Sequence, residues 1–149
     1  MRAAGFNTIE QKGRVISSVT MVCPSLSNRT IVIVEDHDDT RSFLSRFLAN
    51  HGAHVFASSD ATSALEAVQR QHPDVVLSDI CLPDRDGFQL LRDIRALGPE
   101  NGGTVPVIAM TAFGAFSDED QTAAAGFQKH LDKPFGPDEL LQAVRGTLA

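Results

Sequence analysis

The chain has 149 residues, 42% of them hydrophobic and 21% charged, with a formal net charge of −6. That length gives one domain a real core and leaves too little for two comfortable ones. No block of lysine and arginine offers a nucleic-acid surface, no run approaches the ~18 apolar residues of a membrane span, and no signal-peptide apolar centre opens the chain. Cys23 and Cys81 are too few and too scattered for a disulfide framework or a zinc site. The composition therefore predicts a soluble, cytoplasmic globule without direct nucleic-acid contact or membrane insertion.

Residues 1–28 mix charge into every short apolar patch, and Pro24, Ser25, Ser27 and Asn28 break the one strand-like run. They read as a flexible extension, with an arm for self-association as the rival reading. From Arg29 onward the pattern alternates. A strand over 30–35 precedes a helix over about 39–50, where Phe43, Leu44, Phe47 and Leu48 recur at helical spacing and Gly52 ends the run. A short strand over 54–57 leads to a helix capped by Ser59 or Asp60 and carrying Ala64, Leu65 and Val68 on one face. Pro73 stops it, and 74–79 is a buried strand. The run Pro83-Asp84-Arg85-Asp86-Gly87 makes a turn into a helix over 88–97, with Leu90, Leu91 and Ile94 inward.

After a loop over 98–103 come a fourth strand over 105–110 and an alanine-rich helix over about 117–125, capped by Ser117 and stopped by Gly126. A fifth strand over 127–132 and a helix over 137–148, with Pro137 in its first turn, complete the series. Five strands alternating with five helices predict an α/β fold, a parallel sheet covered on both faces.

The strands end on reactive groups: Glu35-Asp36, Asp79, Thr111 and Lys133. In an open parallel sheet, ligands bind beyond the carboxyl ends of the strands, where strand order reverses. Three carboxylates gathered there repel one another unless a cation offsets them, and a hard divalent ion with oxygen ligands is the natural solution. Asp36 and Asp79 are the expected direct ligands, Glu35 acts through a metal-bound water, and the Cys81 backbone carbonyl is a further oxygen. Aspartate beside a metal and a lysine is also a competent phosphoryl acceptor, which assigns that role to Asp79. Lys133 and the cation then neutralise the phosphoryl oxygens, and the Thr111 hydroxyl donates to one of them. Each of these signals alone has an ordinary explanation as a cap or turn residue; their coincidence at separate strand ends does not.

Val34-Glu35-Asp36, Leu77-Ser78-Asp79 with Pro83 and Asp86-Gly87, Met110-Thr111-Ala112 and Asp132-Lys133-Pro134-Phe135 together resemble the response-regulator receiver domains of two-component signalling. The resemblance covers 29–149 and implies a flavodoxin-like doubly wound sheet of order 2-1-3-4-5. It implies Mg²⁺ (or Mn²⁺) as cofactor, phosphorylation of Asp79 by a histidine kinase or histidine phosphotransfer protein, and only slow self-dephosphorylation rather than enzymatic turnover. Thr111 becomes the switch hydroxyl and Lys133 the phosphoryl-contacting lysine. Where the family often has an inward-swinging aromatic ring, this chain has His130, a possible switch position read as a solvated edge histidine. Phe113 sits where side chains govern water access to the phosphoryl group and is expected to slow hydrolysis.

The sequence stops directly after its last helix, so a stand-alone receiver is expected. It would signal to an unknown downstream protein through the face of its fourth helix, fifth strand and fifth helix, with a homodimer as a further possibility. The alternative within the same class is a phosphate shuttle or sink in a hybrid-kinase phosphorelay. A metal-dependent aspartyl phosphatase would want a second acid two residues after Asp79, where Cys81 stands. A flavin module would want a phosphate-binding loop where Glu35-Asp36-His37-Asp38 stands, and a receiver-like module that is never phosphorylated would not need the full residue set.

Overall fold

A computed structural model describes residues 25–112 and 119–148. Its strands are β1 (Thr30–Val34), β2 (His54–Ser58), β3 (Val75–Asp79), β4 (Val107–Ala112) and β5 (Lys129–Lys133). All pair in parallel, in the order β2-β1-β3-β4-β5. The helices are α1 (Asp38–Asn50), α2 (Ala61–Gln71), α3 (Gly87–Ala96), α4 (Glu119–Ala125) and α5 (Pro137–Leu148). The doubly wound sheet and its strand order are those expected from the sequence.

Successive strand residues point to opposite faces of a sheet. Ile31, Ile33, Val75, Leu77, Ile108 and Met110 pack with Leu44 and Leu48 of α1 and Leu140 and Val144 of α5. Val32, Val34, Val76, Val107 and Ala109 face the other way, onto Ala64 and Val68 of α2 and Leu90, Leu91 and Ile94 of α3. These strand residues are at most 1% exposed, which is why the runs read as continuously apolar rather than alternating. Each fully buried aliphatic side chain stabilises the fold by roughly 1.5–3 kcal/mol, so the three central strands dominate the core.

Helix starts follow local chemistry. Asp60 Oδ1 accepts from the Ser63 N–H at 2.7 Å and Asp86 Oδ1 from the Gln89 N–H at 2.8 Å, each satisfying a donor that the first turn leaves unpaired. At α1 the cap is His37, whose Nδ1 accepts from the Thr40 N–H at 3.4 Å. Gly87 opens α3 against the back of β3. A Cβ there would lie 2.8 Å from the Asp79 carbonyl oxygen and 2.9 Å from Ile80 Cα.

Four local differences from the sequence reading have physical causes. Residues 25–28, read as the end of the extension, form a turn in which Leu26 is 1% exposed and its N–H donates to the His51 carbonyl at 2.8 Å. The rest of that extension lies outside the described residues. The loop over 98–103 contains a 3₁₀ turn, Pro99–Asn101, between two glycines of positive φ (Gly98 φ 82°, Gly102 φ 87°). β4 runs on to Ala112 because Thr111 and Ala112 pair with Asp132 and Lys133. β5 begins at Lys129, since Phe127 turns away to meet Phe88 edge-on, with ring centroids 5.5 Å apart.

Candidate functional site

The strand order reverses between β1 and β3, whose last paired positions are Val34 and Ser78. Glu35 and Asp79, each one residue further on, therefore stand side by side at the carboxyl edge. Glu35 is 1% exposed and Asp79 8%, while Asp36, next along the turn, is exposed. One oxygen from each of the three lies within 4.8 Å of the others. They line a cavity of about 800 Å³ together with His37, Asp38, Asp39, Thr40, Cys81 and Lys133.

Lys133, the last residue of β5, reaches across to both buried carboxylates. Its Nζ donates to Glu35 Oε1 at 2.5 Å and to Asp79 Oδ2 at 3.1 Å. The Cys81 N–H donates to the other Asp79 oxygen, Oδ1, at 3.1 Å. Burial pushes the Glu35 carboxyl above its ordinary pKa, outweighing the Lys133 hydrogen bond and the His37 amide, and the neighbouring Asp79 charge adds to the rise. For Lys133, burial alone would favour the neutral amine, but the hydrogen bond to Glu35 and the two carboxylate charges hold its pKa above the ordinary value. The ammonium is thus firmly charged. Three carboxylates against one ammonium leave an excess of negative charge at a site of hard oxygen donors, a donor set that fits Mg²⁺.

Residues that pattern reading missed hold this arrangement rigid. Arg41 Nη1 donates to the carbonyls of Glu35, at 2.9 Å, and Asp36, at 3.4 Å, and its Nη2 donates to Asp38 Oδ1 at 2.6 Å. One guanidinium thereby fixes the backbone of the acidic turn. Asp84, in the loop after β3, accepts from the Ala61 and Thr62 N–H groups at 2.9 and 3.0 Å and from the Thr62 hydroxyl at 2.8 Å. Burial opposes its ionisation, but these donors prevail and lower its pKa to about 2. Arg85 pairs with Asp93 and Asp84. An i+4 periodicity shows Arg41 on α1 without showing that it curls back onto the turn before the helix.

Thr111 is fully buried, and its hydroxyl is engaged by β5: it lies 2.8 Å from His130 Nε2 and 3.2 Å from Asp132 Oδ1. It does not line the acidic cavity. His130 corrects the sequence reading. Its side chain is 4% exposed, with Nε2 also 2.8 Å from Asp132 Oδ1 and Nδ1 3.2 Å from the Thr122 hydroxyl. A polar ring tolerates burial when both nitrogens have partners, and two of these partners, Thr111 and Thr122, lie on other elements, invisible to a pattern that reads β5 alone. Phe113, the other candidate at the phosphoryl position, lies outside the described residues.

At the switch point of the doubly wound sheet lies a lysine-bridged acidic cavity whose three carboxylates are close enough to share a metal ion. Comparison with known proteins gives the family. The response regulator receiver domain model matches residues 31–145. The chain is 36% identical over 121 residues to an uncharacterized 14.6 kDa protein from the sodA1 3′ region of Leptolyngbya boryana, covering 81% of this chain and 91% of that one. It is 35% identical over 118 residues to the KDP operon transcriptional regulatory protein KdpE of Escherichia coli K12, covering 79% of this chain and 50% of KdpE. It thus spans about half the length of the transcriptional regulators it matches.

Among solved structures it resembles the receiver domain of the sensor histidine kinase PA1611 from Pseudomonas aeruginosa PAO1, which has a magnesium ion coordinated in its active-site cleft. That match has 33% identity and a TM-score of 0.72 over 82% of this chain and 98% of that one. The chain belongs to the response regulator receiver domain family of two-component systems. None of the helices among the described residues is long and apolar enough to cross a membrane.

Proposed function

We propose that this receiver accepts a phosphoryl group on Asp79 from a histidine kinase or histidine phosphotransfer protein, with a divalent cation, and passes the signal on by protein–protein contact. The observation that carries this reading is the pairing of Asp79 with Lys133 inside the acidic cavity (3.1 Å), with Glu35 and Asp36 close enough to share an ion. Glu35, Asp36, Asp79 and the Cys81 carbonyl would hold Mg²⁺ (or Mn²⁺). Bound there, the ion would offset charge on the phosphoryl oxygens.

The chain's own residues supply the rest. Asp79 attacks phosphorus through one carboxylate oxygen, and the donor imidazole leaves with the electrons of the P–N bond. The Cys81 N–H orients the carboxylate. The Lys133 ammonium balances charge that now sits beside Glu35 and the new oxygens, and the Thr111 hydroxyl turns towards one of them. Phosphorylation places up to two negative charges in the cavity, enough to bias a two-state packing of the elements around β4 and β5. No second acid stands two residues after Asp79, so self-dephosphorylation is slow and the domain is not an enzyme in its own right.

Similarity to the receiver of a sensor histidine kinase favours a second placement, as a shuttle or sink for phosphate between a hybrid kinase and another histidine protein. Both placements share the same test. Intact-mass measurement after incubation with acetyl phosphate and Mg²⁺ gives one added phosphoryl group in the wild type and none in Asp79→Asn. Absence of the adduct in the wild type, or equal labelling of Asp79→Asn, rejects the proposal. Chelation of Mg²⁺ by EDTA abolishes labelling on the same reading.

A further inference from the structure

We infer that Asp84 and Arg85 are positioning residues: they clamp the tip of the β3–α3 loop to α2 and α3, and thereby fix the Cys81 main chain and set the affinity of the acidic cavity for Mg²⁺. The inference rests on the reading of that cavity as a divalent-cation site and names residues outside its donor set that tune it.

The loop is closed at its base and held at its tip. At the base, the Gly87 N–H donates to the Ile80 carbonyl at 2.6 Å, and Cys81 and Asp86 form an antiparallel bridge. Cys81 belongs to both loop and site. Its N–H donates to Asp79 Oδ1 at 3.1 Å, and its carbonyl is the oxygen proposed as a further ligand. A single bridge does not fix which way the tip, residues 82–85, leans. That is decided by α2 and α3.

The first four main-chain donors of a helix have no partners within it. At α2, Asp60 takes two of them, the Ser63 N–H with its side chain at 2.7 Å and the Ala64 N–H with its carbonyl at 3.2 Å. The other two go to the loop. Ala61 N–H donates to Asp84 Oδ1 at 2.9 Å and Thr62 N–H to Oδ2 at 3.0 Å, with the Thr62 hydroxyl also on Oδ2 at 2.8 Å. A carboxylate is favoured at that end of the helix dipole. Arg85 locks the cap from the other side. Its Nη2 donates to the Thr62 hydroxyl oxygen at 3.0 Å, its Nε lies 3.8 Å from Asp84 Oδ2, and its Nη1 donates to Asp93 Oδ2 on α3. Gln89 Nε2 steadies Asp93 through Oδ1 at 3.0 Å. The Arg85 and Asp93 side chains are only 31% and 25% exposed, so salt screens this pair less than one in open water.

A cap from the helix's own sequence would stabilise α2 equally well. Drawing it from the loop makes α2 a fixed point for a segment that begins at Cys81. Mg²⁺ tolerates little departure from octahedral geometry, so a carbonyl allowed to drift lowers its affinity.

Amide NMR titration of the full chain with Mg²⁺ at constant ionic strength tests this. Arg85→Met removes the donors of the clamp together with a positive charge. Charge alone would make this variant bind Mg²⁺ more tightly, whereas loss of the clamp weakens binding about fivefold. Thr62→Val removes the hydroxyl between Asp84 and Arg85 without changing charge and weakens binding about threefold, and Thr62→Ser restores it. The Mg²⁺ concentration for half-maximal labelling by acetyl phosphate rises in the same ratios, while the rate at saturating Mg²⁺ stays within about twofold of wild type. Loss of a purely structural cap would lower the urea midpoint and leave the affinity of the folded protein unchanged. Wild-type affinity in Thr62→Val, or unchanged or tighter binding by Arg85→Met, overturns the inference. A wild type whose Glu35, Asp36 and Asp79 amides do not respond to Mg²⁺ is the separate result that removes the cation reading, and this inference with it.

Discussion

Two buried polar clusters flank β4, and they are balanced in opposite ways. At the ends of β1 and β3, Glu35, Asp36 and Asp79 crowd together with Lys133 as their one bridging ammonium, so the cluster is left negative and open to a cavity of about 800 Å³. Beneath α4, His130 lies within hydrogen-bond distance of both Thr111 and Thr122, with Asp132 joining the set at the surface. The first cluster carries more negative than positive charge; the second is built from neutral hydroxyls and a ring that pair across elements. An unbalanced cluster is where a ligand binds, and a balanced cluster beside it is where a small movement registers, because any displacement leaves a buried group without its partner.

The largest effect that can break this contrast is Asp79→Asn, which removes phosphoryl labelling outright. Next comes Lys133→Ala. Without the ammonium, the buried Glu35 and Asp79 lose their counter-charge. Fully buried pairs broken on one side cost about 3–5 kcal/mol, and because Lys133 retains 25% exposure we expect about 2–3 kcal/mol in urea denaturation with EDTA present. Adding Mg²⁺ then restores more stability to the variant than it gives the wild type, since the ion no longer shares the cavity with a cation. Equal Mg²⁺ stabilisation of both proteins would show that the ion binds elsewhere.

Gly87→Ala probes how tightly the unbalanced cluster is held. The added methyl meets the Asp79 carbonyl oxygen at 2.8 Å, and the backbone must give way, at a cost of about 1–3 kcal/mol. Because that backbone carries Asp79, the proposed acceptor, labelling by acetyl phosphate is expected to slow as well. Unchanged labelling with reduced stability would mean that the shift is absorbed by α3.

The smallest effect lies at the rim, at Asp84. Its folded pKa of about 2 lies below the ordinary 3.8, so its contribution is present above pH 3.8 and is lost as pH falls through about 2. Asp84→Asn keeps one acceptor for the α2 donors and costs about 1 kcal/mol at neutral pH. The gap between wild type and variant narrows in acid, because the wild-type carboxyl protonates there. A gap independent of pH would sink the assignment.

The doubly wound sheet was legible because both faces of β1, β3 and β4 are buried, which writes each strand as an unbroken apolar run. The acidic cavity was legible because Glu35, Asp36 and Asp79 stand at the ends of two of those runs and Lys133 ends the fifth strand. Leu26 was not, because one apolar residue between a proline and an asparagine carries no period. His130 was misread for a related reason. A polar residue on an edge strand normally faces water, and only the approach of Thr122 from α4 makes the interior hospitable to it. Arg41 and Asp84 escaped notice because their partners are backbone groups, which every sequence contains and none displays.

Lys133 joins the cavity from the far side of the sheet, 98 positions along the chain from Glu35 and 54 from Asp79. Contacts of such separation close late, because chain entropy must be surrendered before they form. A chain still being synthesised therefore holds its acidic half long before its basic half emerges. Until β5 docks, Glu35 and Asp79 lack the Lys133 counter-charge, and the carboxylate proposed to accept the phosphoryl group lacks the ammonium that would neutralise the new oxygens. On the proposed reading, competence to accept a phosphoryl group thus arrives with the last strand and reports completion of the whole sheet.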